Sequence, residues 1–173
     1  MPLIIALIGA IVAVYFWANR ARSTRNTAGE VLDMANDVRL AARRFGFKRQ
    51  YNLHPVESIE DARLAIAAIA TSFIELDGLP TKEDRARLAV KFQTKLHANA
   101  DEAQEMEVLG RWFMTECGGA EPAIARLSRK LFKLGGAEQL PPLIDTLQGS
   151  LIGELSLKQS DNLEDIQRAL RPR

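Results

Sequence analysis

Glu75, Asp77, Glu83 and Asp84 crowd around one Asp-Gly turn, and carboxylates at that density are the raw material of a hard-cation site. Calcium or magnesium would ask for about six oxygen ligands there. Lys82 and Arg85 interrupt the group, and acidic residues beside a turn also cap helices. Capping is the preferred reading, with Glu75, Asp77 and Asp84 kept as weak metal candidates. His54 and His97 are the only histidines, too few and too far apart for a recognisable zinc pattern. Cys117 is the single cysteine, so no disulfide can close within the chain. Placed just before Gly118-Gly119, it reads as a small buried hydrophobe near a helix end. No GxGxxG, Walker, serine nucleophile-elbow or HExxH pattern occurs. The expectation is a protein that is not an enzyme and needs no cofactor and no metal.

Arginine forms the sharper cluster. Arg39, Arg43, Arg44, Lys48 and Arg49 follow Arg20, Arg22 and Arg25 in the first third of the chain. The average net charge of +1 hides this, because residues 1–50 sum to +5 and the remainder to −4. A nucleic-acid binder would show a basic domain, so no nucleic acid is expected as a partner. Arg39 and Arg43 lie one turn apart on one helix face and can touch anionic headgroups, at about 1 kcal/mol each near a bilayer. Glu30, Asp33 and Asp37 on the same segment allow a solvated face instead.

The elements that must position these groups begin with a greasy leader. Pro2 to Ala18 reads PLIIALIGAIVAVYFWA, with no charge before Arg20. Such a run is close to the shortest that spans a hydrocarbon core of about 30 Å. Tyr15 and Trp17 stand where an interfacial aromatic belt would be, and Ala6, Gly9, Ala10 and Ala13 offer a small-residue face for helix packing. All nearby positive charge follows the run, which predicts an outside N-terminus and a cytoplasmic remainder, as in a bacterial inner-membrane protein with one span. A cleaved signal peptide would want basic residues before the run and small ones at its end. Here the end is Tyr15-Phe16-Trp17.

After the anchor (1–20), a basic stalk and juxtamembrane helix are expected over 21–54, with Thr27 and Glu30 as a capping box. A bundle of about six helices is expected over 55–173. Ser58 to Asp61 opens a helix that runs to Leu76, apolar on every face from Leu64 to Ala70 and therefore central. Thr81 to Asp84 caps the next, with Leu88, Ala89, Phe92 and Leu96 inward. Asn99 or Asp101 starts another, with Met106, Leu109, Trp112 and Phe113 inward and Glu102, Glu105 and Glu107 mostly outward. Glu121-Pro122 opens the helix carrying Ile124, Leu127 and Leu131. Pro141-Pro142 opens that of Leu143, Ile144, Leu147 and Leu151. The last starts between Ser156 and Ser160 and uses Leu163, Ile166 and Leu170. No run alternates with a strand's period, so the fold class is all-α.

Within this pattern, AIAAIATSFIELDGLPTKEDRARLAVKF (Ala65 to Phe92) resembles the TerB-like domain of the tellurite-resistance family. LIGELSLKQSDNLEDIQRAL (Leu151 to Leu170) is a fainter echo, with Gly153-Glu154 where the first copy has Asp-Gly. The resemblance implies an all-helical domain with an internal two-fold repeat. Anchor, basic stalk and bundle together look like the front end of membrane-anchored J-domain co-chaperones. His54-Pro55-Val56 departs from the His-Pro-Asp of a J domain, and no J domain is expected within the chain. The functional expectation is a membrane-anchored adapter that docks other proteins on its cytoplasmic bundle. Its alternatives are an accessory subunit of a larger respiratory or photosynthetic membrane complex, packed on integral subunits, and a metal-responsive stress factor.

Overall fold

Val56 and Ile59 are fully buried, and they pin the chain before the first long helix begins. Val56 lies within a 3₁₀ turn, Pro55–Ser58, that has His54 as its N-cap and Ile59 as its C-cap. Ile59 keeps an extended backbone, and the helical conformation starts only after Asp61, whose carboxylate accepts from the Arg63 amide at 2.8 Å. The N-cap is therefore Asp61 and not Ser58. The computed structural model describes Phe45 and residues 52–151 and 153–171. The anchor expected over 1–20 and the arginine-rich helix after it lie outside these residues.

Among the described residues the fold is all-helical, with six α-helices: α1 (Ala62–Ile74), α2 (Lys82–Lys95), α3 (Ala100–Glu116), α4 (Ala120–Gly135), α5 (Leu140–Ser150) and α6 (Leu157–Leu170). A second 3₁₀ turn, Gly136–Gln139, joins α4 to α5. No described helix is long and apolar enough to cross a membrane.

The hub is α1. Every residue from Leu64 to Ile74 is buried, and α2, α3, α4 and α5 all pack against it. Thr71 and Ser72 tolerate this because their hydroxyls donate to the carbonyls of Ala67 and Ala68 at 2.9 Å, leaving no orphaned donor. Ala65, Ala67, Ala68 and Ala70 keep the helix slim, so its neighbours approach closely. Gly110 of α3 exploits that: a Cβ there would lie 2.7 Å from Thr71 Oγ1.

The outer helices are set by their caps. Thr81, Asn99 and Ser156 each form a reciprocal capping box, with Asp84, Glu102 and Gln159. Gly119 and Gly136 bracket α4 at positive φ. Of the expected inward residues, Leu88, Phe92, Met106, Leu109, Phe113, Ile124, Leu127, Leu131, Leu143, Leu147, Ile166 and Leu170 are buried. Ala89, Trp112, Ile144, Leu151 and Leu163 are only partly covered. Glu102, Glu105 and Glu107, expected mostly outward, are partly buried as well.

Candidate functional site

The acidic turn is held together by helix ends, and its carboxylates face different partners. Glu75 is the C-cap of α1, with its side chain only 11% exposed and Oε1 3.5 Å from Arg111 Nε. Arg111 also reaches Glu107 at 4.0 Å, and Arg85 lies 3.9 Å from the same Glu107 oxygen. Two glutamates and two arginines thus share the junction of α1, α2 and α3. Burial pushes the Glu75 carboxyl above the usual carboxylate range, and Arg111 and Arg85 only partly oppose it.

Asp84 has the opposite environment. Its Oδ2 accepts from the Thr81 hydroxyl at 2.7 Å and the Thr81 amide at 2.8 Å, and its Oδ1 pairs with Arg87. Those Thr81 hydrogen bonds, with Arg87 beside them, hold the carboxyl below its usual range. Asp77 and Glu83 are exposed. Among the described residues no group of three or more His, Cys, Asp or Glu is arranged to hold a metal ion. Glu75, Asp77 and Asp84 are therefore not gathered into one site: arginine and a helix N-terminus take two of the three carboxylates.

His54 bridges two helix ends. Its Nδ1 accepts from the Val56 amide at 3.3 Å, and Nε2 lies 3.3 Å from the Glu116 carbonyl at the end of α3. A neutral ring with its proton on Nε2 satisfies both. His97 is exposed and takes φ 54°, a left-handed position just past the end of α2. Cys117 is the C-cap of α3 and half-buried, and burial pushes its thiol pKa up, away from the reactive thiolate.

A recess lies elsewhere, between α4 and α6, with a volume of about 980 Å³. Pro122, Ile124, Ala125, Phe132, Ile166 and Ala169 give it apolar walls. Ser128 lies in its floor, 1% exposed, and its hydroxyl has no hydrogen-bond partner among the described residues. Glu121, Arg129, Lys133, Asp165, Arg168 and Arg171 line the rim. The sequence reading missed this groove. It assigned α4 a single stripe, Ile124, Leu127 and Leu131, which does face the core. The available signal was a second apolar pair one stripe over, Ala125 and Phe132, seven positions apart.

The other expected contact residues (Arg20, Arg22, Arg25, Arg39, Arg43, Arg44, Lys48 and Arg49 for the membrane surface, and Ala6, Gly9, Ala10, Ala13, Tyr15 and Trp17 for the anchor) lie outside the described residues. Comparison with protein-family models, curated proteins and solved structures finds no match to this chain.

Proposed function

We propose that this chain is a non-enzymatic adapter, tethered by one N-terminal span in a bacterial inner membrane and presenting its helical bundle to partner proteins on the cytoplasmic side. One observation carries the reading: seventeen uncharged residues, Pro2 to Ala18, followed at once by Arg20, Arg22 and Arg25. An apolar run of that length is favourable in lipid, and cations on one flank fix its orientation. The basic residues from Arg39 to Arg49 then orient the bundle over anionic headgroups.

A TerB-like duplication within the bundle is supported by its two matching turns. Gly78 at φ 135° precedes the Thr81 capping box by three residues, and Gly153 at φ 86° precedes the Ser156 box by the same three. Leu79 in the first turn is 88% exposed, and Leu155 in the second is 39% exposed.

The second reading, an accessory subunit of a membrane complex, draws on the Ala6, Gly9, Ala10 and Ala13 face, which suits close packing against another span. Fractionation separates the readings. The adapter should stay in the membrane pellet after alkaline carbonate washing, retain Met1 or Pro2 as its first residue, and hold its partners exchangeably in mild detergent. A stoichiometric complex that survives purification favours the subunit. Mature protein beginning after Trp17, or full-length chain in the detergent-free supernatant, refutes both.

A further inference from the structure

We infer that the groove between α4 and α6 is a docking site for an acidic amphipathic helix of a partner protein. The inference deepens the adapter reading and rests on it for the existence of a partner. The two helices run alongside each other in the same direction. Lys158 at the start of α6 pairs with Glu121 at the start of α4 at 2.8 Å, and α6 also touches the Gly136–Gln139 turn that follows α4. Two C-terminal ends therefore lie at the same end of the groove, each with partial negative charge.

The rim is polarised to match. Arg129, Lys133 and Arg168 fall in the later part of the two helices, and Arg171 is the C-cap just past α6. Lys133 is engaged by Glu57 and Arg168 by Asp165, whereas Arg129 and Arg171 form no ion pair among the described residues. A helix laid antiparallel to α4 and α6 would bring its N-terminus to that end. Its partial positive charge would meet two C-termini, and acidic residues in its first turn would meet Arg129 and Arg171. Its apolar face would cover Phe132, which is 38% exposed, together with Ala125 and Ala169. The lining runs from Glu121 to Lys133, about 18 Å of helix, which matches a partner helix of about 12 residues.

The test is a fluorescence anisotropy titration of the full-length chain against a labelled helical peptide of about 12 residues, with glutamates in its first turn and leucines along one face. Saturable binding is expected. It should weaken by about tenfold or more when the glutamates are replaced by lysines, and equally in the Arg129→Glu, Arg171→Glu double variant. Ala125→Trp, an exposed position that fills the groove, should abolish it while circular dichroism stays unchanged. Absence of saturable binding, equal affinity for the lysine peptide, or unaltered binding by the double variant overturns the inference. Membrane retention of the double variant is read in parallel. It depends on the leader alone, so intact retention together with no saturable binding by the parent chain, or with binding unaltered in the double variant, rejects the groove and leaves the tether standing.

Discussion

Glu75 and His97 show how single residues here work against their surroundings. The raised pKa of Glu75 means that its ionised form is less at home in the folded protein than in the unfolded chain. Any stability linked to its proton is present below the ordinary carboxylate value of 4.5 and is lost as pH rises through the raised value. Glu75→Gln should therefore gain stability relative to the parent as pH rises from below 4.5 through the raised value, and no more above it. Thermal melts across that range check the sign, and a relative loss at alkaline pH rejects this account of the site. His97 is strained for a different reason. A left-handed conformation costs a residue with a Cβ about 1 kcal/mol, and its exposed ring returns no packing. His97→Gly is expected to raise stability by about 0.5–1 kcal/mol, seen as a higher urea midpoint at unchanged slope. A lower midpoint would mean that the imidazole makes a contact worth more than the strain.

At the scale of elements, α1 and α3 are spaced by small residues, and Gly110 is where this matters most. Replacing a mid-helix glycine by alanine normally gains about 1 kcal/mol. Here the new methyl would lie 2.7 Å from Thr71 Oγ1, 2.9 Å from Thr71 Cβ and 3.2 Å from Ala68 Cα. Thr71 is buried and tied to the Ala67 carbonyl, so it cannot swing away. Gly110→Ala should then cost about 1–3 kcal/mol, and Thr71→Ala in the same chain should recover part of that loss. Chemical denaturation of the two single variants and the double variant decides it; strict additivity would show that the clash is not with Thr71.

The same elements show what the sequence makes legible. Thr81 and Asn99 announce their helices because the box residue stands three positions on, a purely local signal. Ser58 carries the same local signal, with Asp61 three positions on, and misleads. Val56 and Ile59 are buried on either side of it, and that tertiary constraint holds the chain extended until Asp61. The acidic turn was visible as a cluster, but the identity of each partner was not, since Arg111 lies 36 positions from Glu75 in sequence. The groove was least visible of all. It is the part of α4 and α6 that no other described element covers, which only the assembled topology defines.

For the bundle as a whole, the topology sets an order of opening. The α1 helix packs against α2, α3, α4 and α5, so its amides can be reached only when most of the core comes apart. The last helix, α6, has its main contacts with α4 and the Gly136–Gln139 turn, and only Gln159, Ile166 and Leu170 on it are buried. Separating it exposes little apolar surface and leaves the core around α1 intact. Native-state hydrogen exchange should accordingly give α1 the global unfolding free energy and α6 a markedly lower one. Ile166→Ala should lower the α6 value further, by about 2–4 kcal/mol or to complete fraying if the parent value is smaller, while the α1 amides keep exchanging at the global limit. If α6 instead exchanges only with α1, in the parent and in the variant alike, the bundle opens as one cooperative unit. The groove would then have two fixed walls rather than one wall able to move as a helix docks.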